Sequence, residues 1–270
     1  MSDIILIGED HTRKEHLSEI RKIILENSSP KAVLYEGCVT EIKGKRVITT
    51  EELQKITGVE VPSKEPWYLW NLEELYEYLD RLTGEILETS SLSDIAYRYG
   101  DTSLHKELSD KSKKYLYISE HLGNIFQIFC DNFEVETPIR AEIMYSDIAN
   151  NGIPVLPLDD NEAKREQTKL LKLLRQGVIK EDKGIKKLNE KREEKMAENI
   201  RKAVEEYGTP VIAVMGAYHL NGVKKRLKGG LIRKFFKRGY NVKTINLNLG
   251  KPPKVEDRIK AFLYTEKVLE

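Results

Sequence analysis

Two short, uninterrupted apolar runs, Ile4-Ile5-Leu6-Ile7 and Val211-Ile212-Ala213-Val214-Met215, constrain this chain more than any other feature. A strand with one wet face alternates apolar and polar residues. A run that is apolar throughout belongs to a strand covered on both faces, as in a parallel sheet. Each run is followed by Gly-x-x-His, first as Gly8-Glu9-Asp10-His11 and then as Gly216-Ala217-Tyr218-His219. Each then enters a segment of helical spacing, with Leu17, Ile20 and Ile24 in the first and Val223, Leu227 and Leu231 in the second. Each closes on a further strand-like run, Ala32-Val33-Leu34-Tyr35-Glu36 and Tyr240-Asn241-Val242-Lys243-Thr244-Ile245-Asn246. Two β–GxxH–α–β units therefore predict an α/β fold: a mostly parallel central sheet flanked by helices and joined by right-handed crossovers.

The rest of the chain fits around that frame. Ile153-Pro154-Val155-Leu156-Pro157-Leu158 reads as a further strand, and its two prolines suit an edge or an irregular strand. Before it, Thr137-Pro138 opens a helix carrying Ile139, Ile143 and Ile148 until Asn150-Asn151-Gly152 stops it. Residues 181–206 form a long helix dense in alternating charge. Residues 41–136 read as a mainly helical insertion or lid within a single α/β domain spanning 1–270. Within it, the stretch around Lys43-Gly44-Lys45 suggests a small hairpin, and Thr49-Thr50-Glu51-Glu52 has the spacing of a capping box. Trp67, Trp70 and many tyrosines populate this insertion, and for most of them packing of its own core is the simplest role.

Charge narrows the classes of partner. Lys+Arg number 45 against Asp+Glu 44, so the net charge of +1 provides no basic excess for nucleic acid. No stretch approaches the roughly 20 apolar residues of a membrane span, and the start MSDIILIGEDH lacks the basic lead of a secretory signal. Only two cysteines, Cys38 and Cys130, occur in 270 residues, which suits a reducing, cytoplasmic setting. Abundant Lys, Glu and Ile lean towards a thermophile. The apolar residues Leu231 to Phe236 within a basic run are a candidate face for docking a second copy, giving a homo-oligomer, or for docking the sheet.

In open α/β sheets, ligands bind outside the carboxyl ends of the strands, and the reactive side chains of this sequence gather there. Glu9 and His11 follow the first strand, Glu36 ends the second, Asp159 or Asp160 follows the third, and His219 follows the penultimate one. A carboxylate ending an apolar strand is costly unless it is solvated, paired or metal-bound. An imidazole at the first turn of a helix meets the positive end of the helix dipole, which favours the neutral ring that both metal ligation and general-base action need. Glu9 and Asp10 also suit helix N-caps, as does Asp159 or Asp160. In the long helix, Arg192, Met196, Asn199 and Ala203 share one stripe, which turns Arg192 inward and leaves Glu193, Glu194 and Lys195 outward. A guanidinium so placed can hold a substrate carboxylate or steady an oxyanion. His16, His105 and His121 read as structural.

These motifs resemble the superfamily that contains TraB, the Tiki metalloproteases, the ChaN-like haem-binding proteins and the erythromycin esterases. The resemblance rests on IILIGEDH…AVLYEG, the acidic end of VLPLDD, the helix KREEKMAENI and VIAVMGAYHLNGV. It implies a functional set of His11, Glu36, Arg192 and His219, with Glu9 beside the first histidine and Asp159, less readily Asp160, after the third strand. It further implies a hydrolase acting on a small-molecule or peptide substrate. In the metal-dependent form, His11, Glu36, His219 and Asp159 would bind Mn, Co or Zn. In the esterase form, His11 would activate water directly, with His219 as donor. Two rival roles follow from the same kinship and surface: a haem binder that uses Tyr218, and a partner-docking protein that needs neither histidine.

Overall fold

The computed structural model describes residues 3–10, 13–26, 30–38, 40–42, 44, 46–131, 136–159, 162–163, 165–166, 169–170, 173, 176, 183–228 and 240–247. The strands are β1 (Ile4–Glu9), β2 (Ala32–Tyr35), β3 (Val155–Pro157), β4 (Val211–Gly216) and β5 (Val242–Asn246). The helices are α1 (Glu15–Glu26), α2 (Thr50–Thr57), α3 (Leu72–Arg98), α4 (Thr102–Asp131), α5 (Glu136–Asn150), α6 (Lys183–Tyr207) and α7 (Leu220–Lys228). The chain divides into two compact units, Met1–Arg46 with Thr137–Glu270, and Val47–Glu136.

The first unit holds an all-parallel sheet in the order β3-β2-β4-β1-β5. The two sequence units interlock in it. The first steps from β1 across β4 to β2, while the second steps from β4 across β1 to β5. Opposite directions of travel with the same handedness place α1 and α7 on opposite faces. Alternation along the strands sorts the core accordingly. Ile4, Leu6, Ala32, Leu34, Val211, Ala213 and Met215 pack with Met196, Ala197 and Ile200 of α6 and with Leu220, Val223 and Leu227 of α7. The alternate positions Ile5, Ile7, Val33, Ile212 and Val214 are equally buried. On their side Tyr35 stacks on Tyr145 of α5, with centroids 4.2 Å apart. An Arg21–Asp147 pair at 3.5 Å joins α1 to α5. Full burial of each such aliphatic side chain contributes about 1.5–3 kcal/mol, which is why both faces must be covered.

β3 lies at the edge of the sheet, where its prolines cost no interior ladder bond. The hairpin expected around Lys43-Gly44-Lys45 is corrected here. Ile42 instead donates its N–H to the Val155 carbonyl at 3.0 Å, an isolated antiparallel bridge that uses the open edge of β3. A Cβ on Gly44 would meet Asn150 Oδ1 at 2.2 Å, so the chain passes close against the end of α5. Lys43 and Lys45 lie outside the described residues.

The second unit is helical. Thr49 caps α2 with a reciprocal capping box through Glu52, and Asn71 caps α3 in the same way through Glu74. Trp67, Tyr68, Trp70, Tyr78, Tyr115 and Phe129 are buried. His105 hydrogen-bonds Ser93 across α3 and α4 at 3.0 Å, and His121 stands edge-on to Trp67. Among the described residues, no helix is long and apolar enough to cross a membrane.

Candidate active site

Arg192 organises the carboxyl ends of β2, β3 and β4. α6 carries it on the stripe facing the sheet, and its side chain is 0% exposed. Its Nε donates to Asp159 Oδ2 at 2.8 Å, and Nη2 donates both to the same oxygen and to Glu36 Oε1, the latter at 2.6 Å. Burial alone would pull the guanidinium pKa down, but Glu36 and Asp159 outweigh it and hold the value above its ordinary level. The other Glu36 oxygen, Oε2, accepts the Gly216 N–H at 2.7 Å, so one carboxylate ties β2, β4 and α6 together. Asn199, two turns along α6, donates to the Leu158 carbonyl at 3.0 Å and fixes the helix to the end of β3.

His219 stands beside this triad. β4 ends at Gly216, a 3₁₀ turn covers Ala217–His219, and α7 begins at Leu220, so the imidazole sits at the helix entrance. A Cβ on Gly8 would lie 2.9 Å from Ala217 Cα and 2.3 Å from Leu220 Cδ1. The first motif's glycine therefore makes room for the second motif's turn. The ring is buried, with Nε2 3.9 Å from Glu36 Oε1 and Nδ1 3.6 Å from Glu193 Oε1. Nδ1 is sealed from solvent and has no hydrogen-bond partner among the described residues. The outward placement expected for Glu193 is wrong: the residue is buried, and its Oε2 accepts from Arg226 Nη1 of α7 at 2.5 Å. The helical stripe of α6 is two rows wide. Asn189, Glu193, Ala197 and Ile200 are all buried beside the Arg192 row, and that apolar continuation was the signal available in the sequence.

Glu9 is buried but lies on the other side of the sheet. It alternates with Ile4 and Leu6, and its charge, after burial itself, raises the pKa of both Tyr35 and Tyr145. His16, also buried, accepts the Asp10 N–H on Nδ1 at 3.0 Å and so packs as expected. Tyr218 is 53% exposed with its ring edge-on to His219. Glu36, Asp159, Arg192 and His219 are thus brought together, and Glu9 faces a different set of neighbours. His11, Asp160 and the 231–236 face lie outside the described residues.

Of the four groups expected to bind a metal, His11 lies outside the described residues, and Glu36 and Asp159 are engaged by Arg192. Among the described residues, no three His, Cys, Asp or Glu side chains converge as a ligand set. The position between Glu36 and Asp159 that a cation would take is filled by the Arg192 guanidinium.

Fold and site together define an open, all-parallel α/β protein with a buried carboxylate–arginine triad and a histidine where adjacent strands send their connections to opposite faces. Compared with known proteins, the chain matches no family model, no curated protein and no solved structure.

Proposed function

We propose that the protein is a hydrolase of the metal-free, acid–base kind, acting on an ester-, lactone- or peptide-type carbonyl. His219 is the general base, and it later returns the proton to the leaving group. One observation carries the reading: a buried imidazole at a strand end, with a carboxylate within 4 Å of each ring nitrogen. The two flanking carboxylates are acceptors facing the ring nitrogens and so fix its orientation at the strand ends. Arg192, fully buried and engaged by Glu36 and Asp159, acts here through Glu36 rather than on substrate, holding that carboxylate in place. The location at a switch of strand connections supports a pocket for a small carbonyl compound or peptide. The resemblance to the esterase and peptidase branches of the TraB and Tiki superfamily points the same way.

A panel of activated esters, lactones and peptides tests the reading with wild type, His219→Gln, Glu36→Gln and His11→Gln. Loss of about 10²–10⁴-fold in kcat for His219→Gln, with circular dichroism unchanged, is the expected result. A panel that ignores His219→Gln overturns it. Near-stoichiometric Mn, Co or Zn in protein purified without chelator would replace the metal-free scheme with a metal one. One observation favours a second reading: Tyr218 is exposed beside His219, a placement open to ferric haem. A Soret band on haem titration that Tyr218→Phe abolishes would support it.

A further inference from the structure

We infer that Glu193 is the positioning residue of the site: it holds the proton of His219 on Nδ1 and leaves Nε2 free as the base. The inference rests on His219 being the general base and adds the group that orients it. Its first support is the environment of Nδ1. This nitrogen is sealed from solvent without a hydrogen bond among the described residues, and the Glu193 carboxylate, which can only accept, lies 3.6 Å away. A ring movement of well under 1 Å makes that contact a hydrogen bond. Nδ1–H is then satisfied, and the lone pair of Nε2 turns towards the strand ends.

The second support is that the carboxylate is itself held. Arg226 Nη1 donates to Glu193 Oε2 at 2.5 Å and to the Gly222 carbonyl at 3.1 Å, so Arg226 clamps the carboxylate to the turn of α7 on which it stands. The third is that space has been left for it. A Cβ at Gly222 would fall 1.9 Å from Glu193 Oε2 and 2.1 Å from Cδ, so any side chain at position 222 would evict the group. A buried carboxylate needs a reason to be there, since an apolar residue of the same size would cost less to bury. Gly222 and Arg226 of α7 meet Glu193 of α6 at the one carboxylate that lies beside the ring nitrogen. Packing alone does not ask for that, whereas fixing a tautomer does.

The order of groups follows: Arg226, Glu193, His219, Glu36, Arg192. Each carboxylate flanking the imidazole is backed by its own guanidinium, so neither is drawn wholly towards the ring. Glu193 orients and Glu36 faces the reacting side.

Long-range ¹H–¹⁵N NMR of the imidazoles, with His219 assigned by its absence in His219→Gln, reads the tautomer without any substrate. The expected wild-type signature at neutral pH is a protonated Nδ1 and a bare Nε2. Glu193→Gln, whose amide donates to Nδ1 instead, shifts the ring towards the Nε2–H form, and Glu193→Asp restores the wild-type signature in part. Gly222→Ala, which leaves the carboxylate chemically intact but displaces it, gives the Glu193→Gln signature. A His219 tautomer identical in wild type, Glu193→Gln and Gly222→Ala overturns the inference. On any ester or peptide the protein cleaves, Glu193→Gln lowers kcat on the order of 10²–10⁴-fold with KM nearly unchanged, as a wrong tautomer does in serine hydrolases. A purely structural role would change KM and thermal stability together and leave the tautomer alone. Because the NMR readout needs no turnover, a silent substrate panel removes the hydrolase proposal without deciding the role of Glu193.

Discussion

Replacing Arg192 by Met removes a guanidinium hydrogen-bonded to both Glu36 and Asp159, and its cost can be worked from the geometry. At an effective dielectric constant of about 20, each guanidinium–carboxylate attraction near 4 Å is worth about 4 kcal/mol. Desolvation of the three groups and repulsion between the two carboxylates return much of that sum. Breaking a buried pair from one side costs about 3–5 kcal/mol, because the orphaned charge stays behind. We expect about 4 kcal/mol for Arg192→Met, a large part of the roughly 5–15 kcal/mol that holds a domain together. Neutralising everything should be far cheaper. The triple variant Arg192→Met, Glu36→Gln, Asp159→Asn should lie within about 2 kcal/mol of wild type, leaving a coupling of several kcal/mol in the cycle. Urea unfolding followed by circular dichroism measures each corner. The pH dependence has a definite sign. Native Arg192→Met relieves its excess negative charge by taking up protons, so its deficit narrows as the pH is lowered towards about 5. The Arg192 pKa is raised, so its contribution is complete below the unfolded guanidinium pKa and is lost only as the pH climbs through the folded one. A loss below about 1 kcal/mol for Arg192→Met, or a triple variant as unstable as the single, would refute the reasoning.

Gly8→Ala should cost about 1–3 kcal/mol by overpacking against Ala217 and Leu220, and should reduce hydrolysis by moving the His219 turn. Gly123→Ala on α4, where nothing lies within 4 Å, is the matched control and should be neutral or slightly stabilising by thermal melt. Burial, followed by the charge of Glu9, raises the Tyr35 and Tyr145 pKa values well above the ordinary phenol. Their contribution is therefore present below about pH 10 and is lost as the pH rises towards the folded values. Ultraviolet titration should find these two phenols ionising only with alkaline unfolding, and Tyr145→Phe should raise the alkaline limit. Glu198 is held down to about 2 by its hydrogen bonds to Lys202 and Lys195 on the surface of α6. Glu198→Gln should cost no more than about 0.5 kcal/mol at neutral pH and low salt, an effect lost as the pH falls through about 2 or as salt is added.

The sheet was legible in the sequence because strands buried on both faces leave unbroken apolar runs, and Ile4 to Ile7 and Val211 to Met215 can do little else. Glu36 and Asp159 were legible because a carboxylate ending such a run stands out. Glu193 was not, since it sits in a helix where Glu and Lys fill nearly every outward position. Only the second apolar row through Ala197 and Ile200 distinguishes it from Glu194. The hairpin around Gly44 failed for a different reason. Turn-forming residues identify a turn but cannot tell whether the strands beside it pair with each other, and the open edge of β3 took Ile42 instead. The side of the sheet to which Glu9 belongs was hidden as well, because it depends on which neighbour each strand pairs with.

The interlocked units also explain why the chemistry gathers on one flank. A twofold relation between them superposes β1 on β4 and β2 on β5. In the observed registers Tyr35 pairs with Val214, two residues before Gly216, and Thr244 pairs with Leu6, two residues before Gly8. The counterpart of Glu36 is therefore Ile245, an apolar residue. On the β2 flank, β3 and α6 extend the sheet and bring Asp159 and Arg192 to support the glutamate, whereas β5 is the opposite edge and has no such neighbour among the described residues. At position 36 the carboxylate is held by Arg192. The asymmetry of the sheet, five strands around a pair of related units, thus places a supported carboxylate, Glu36, beside His219.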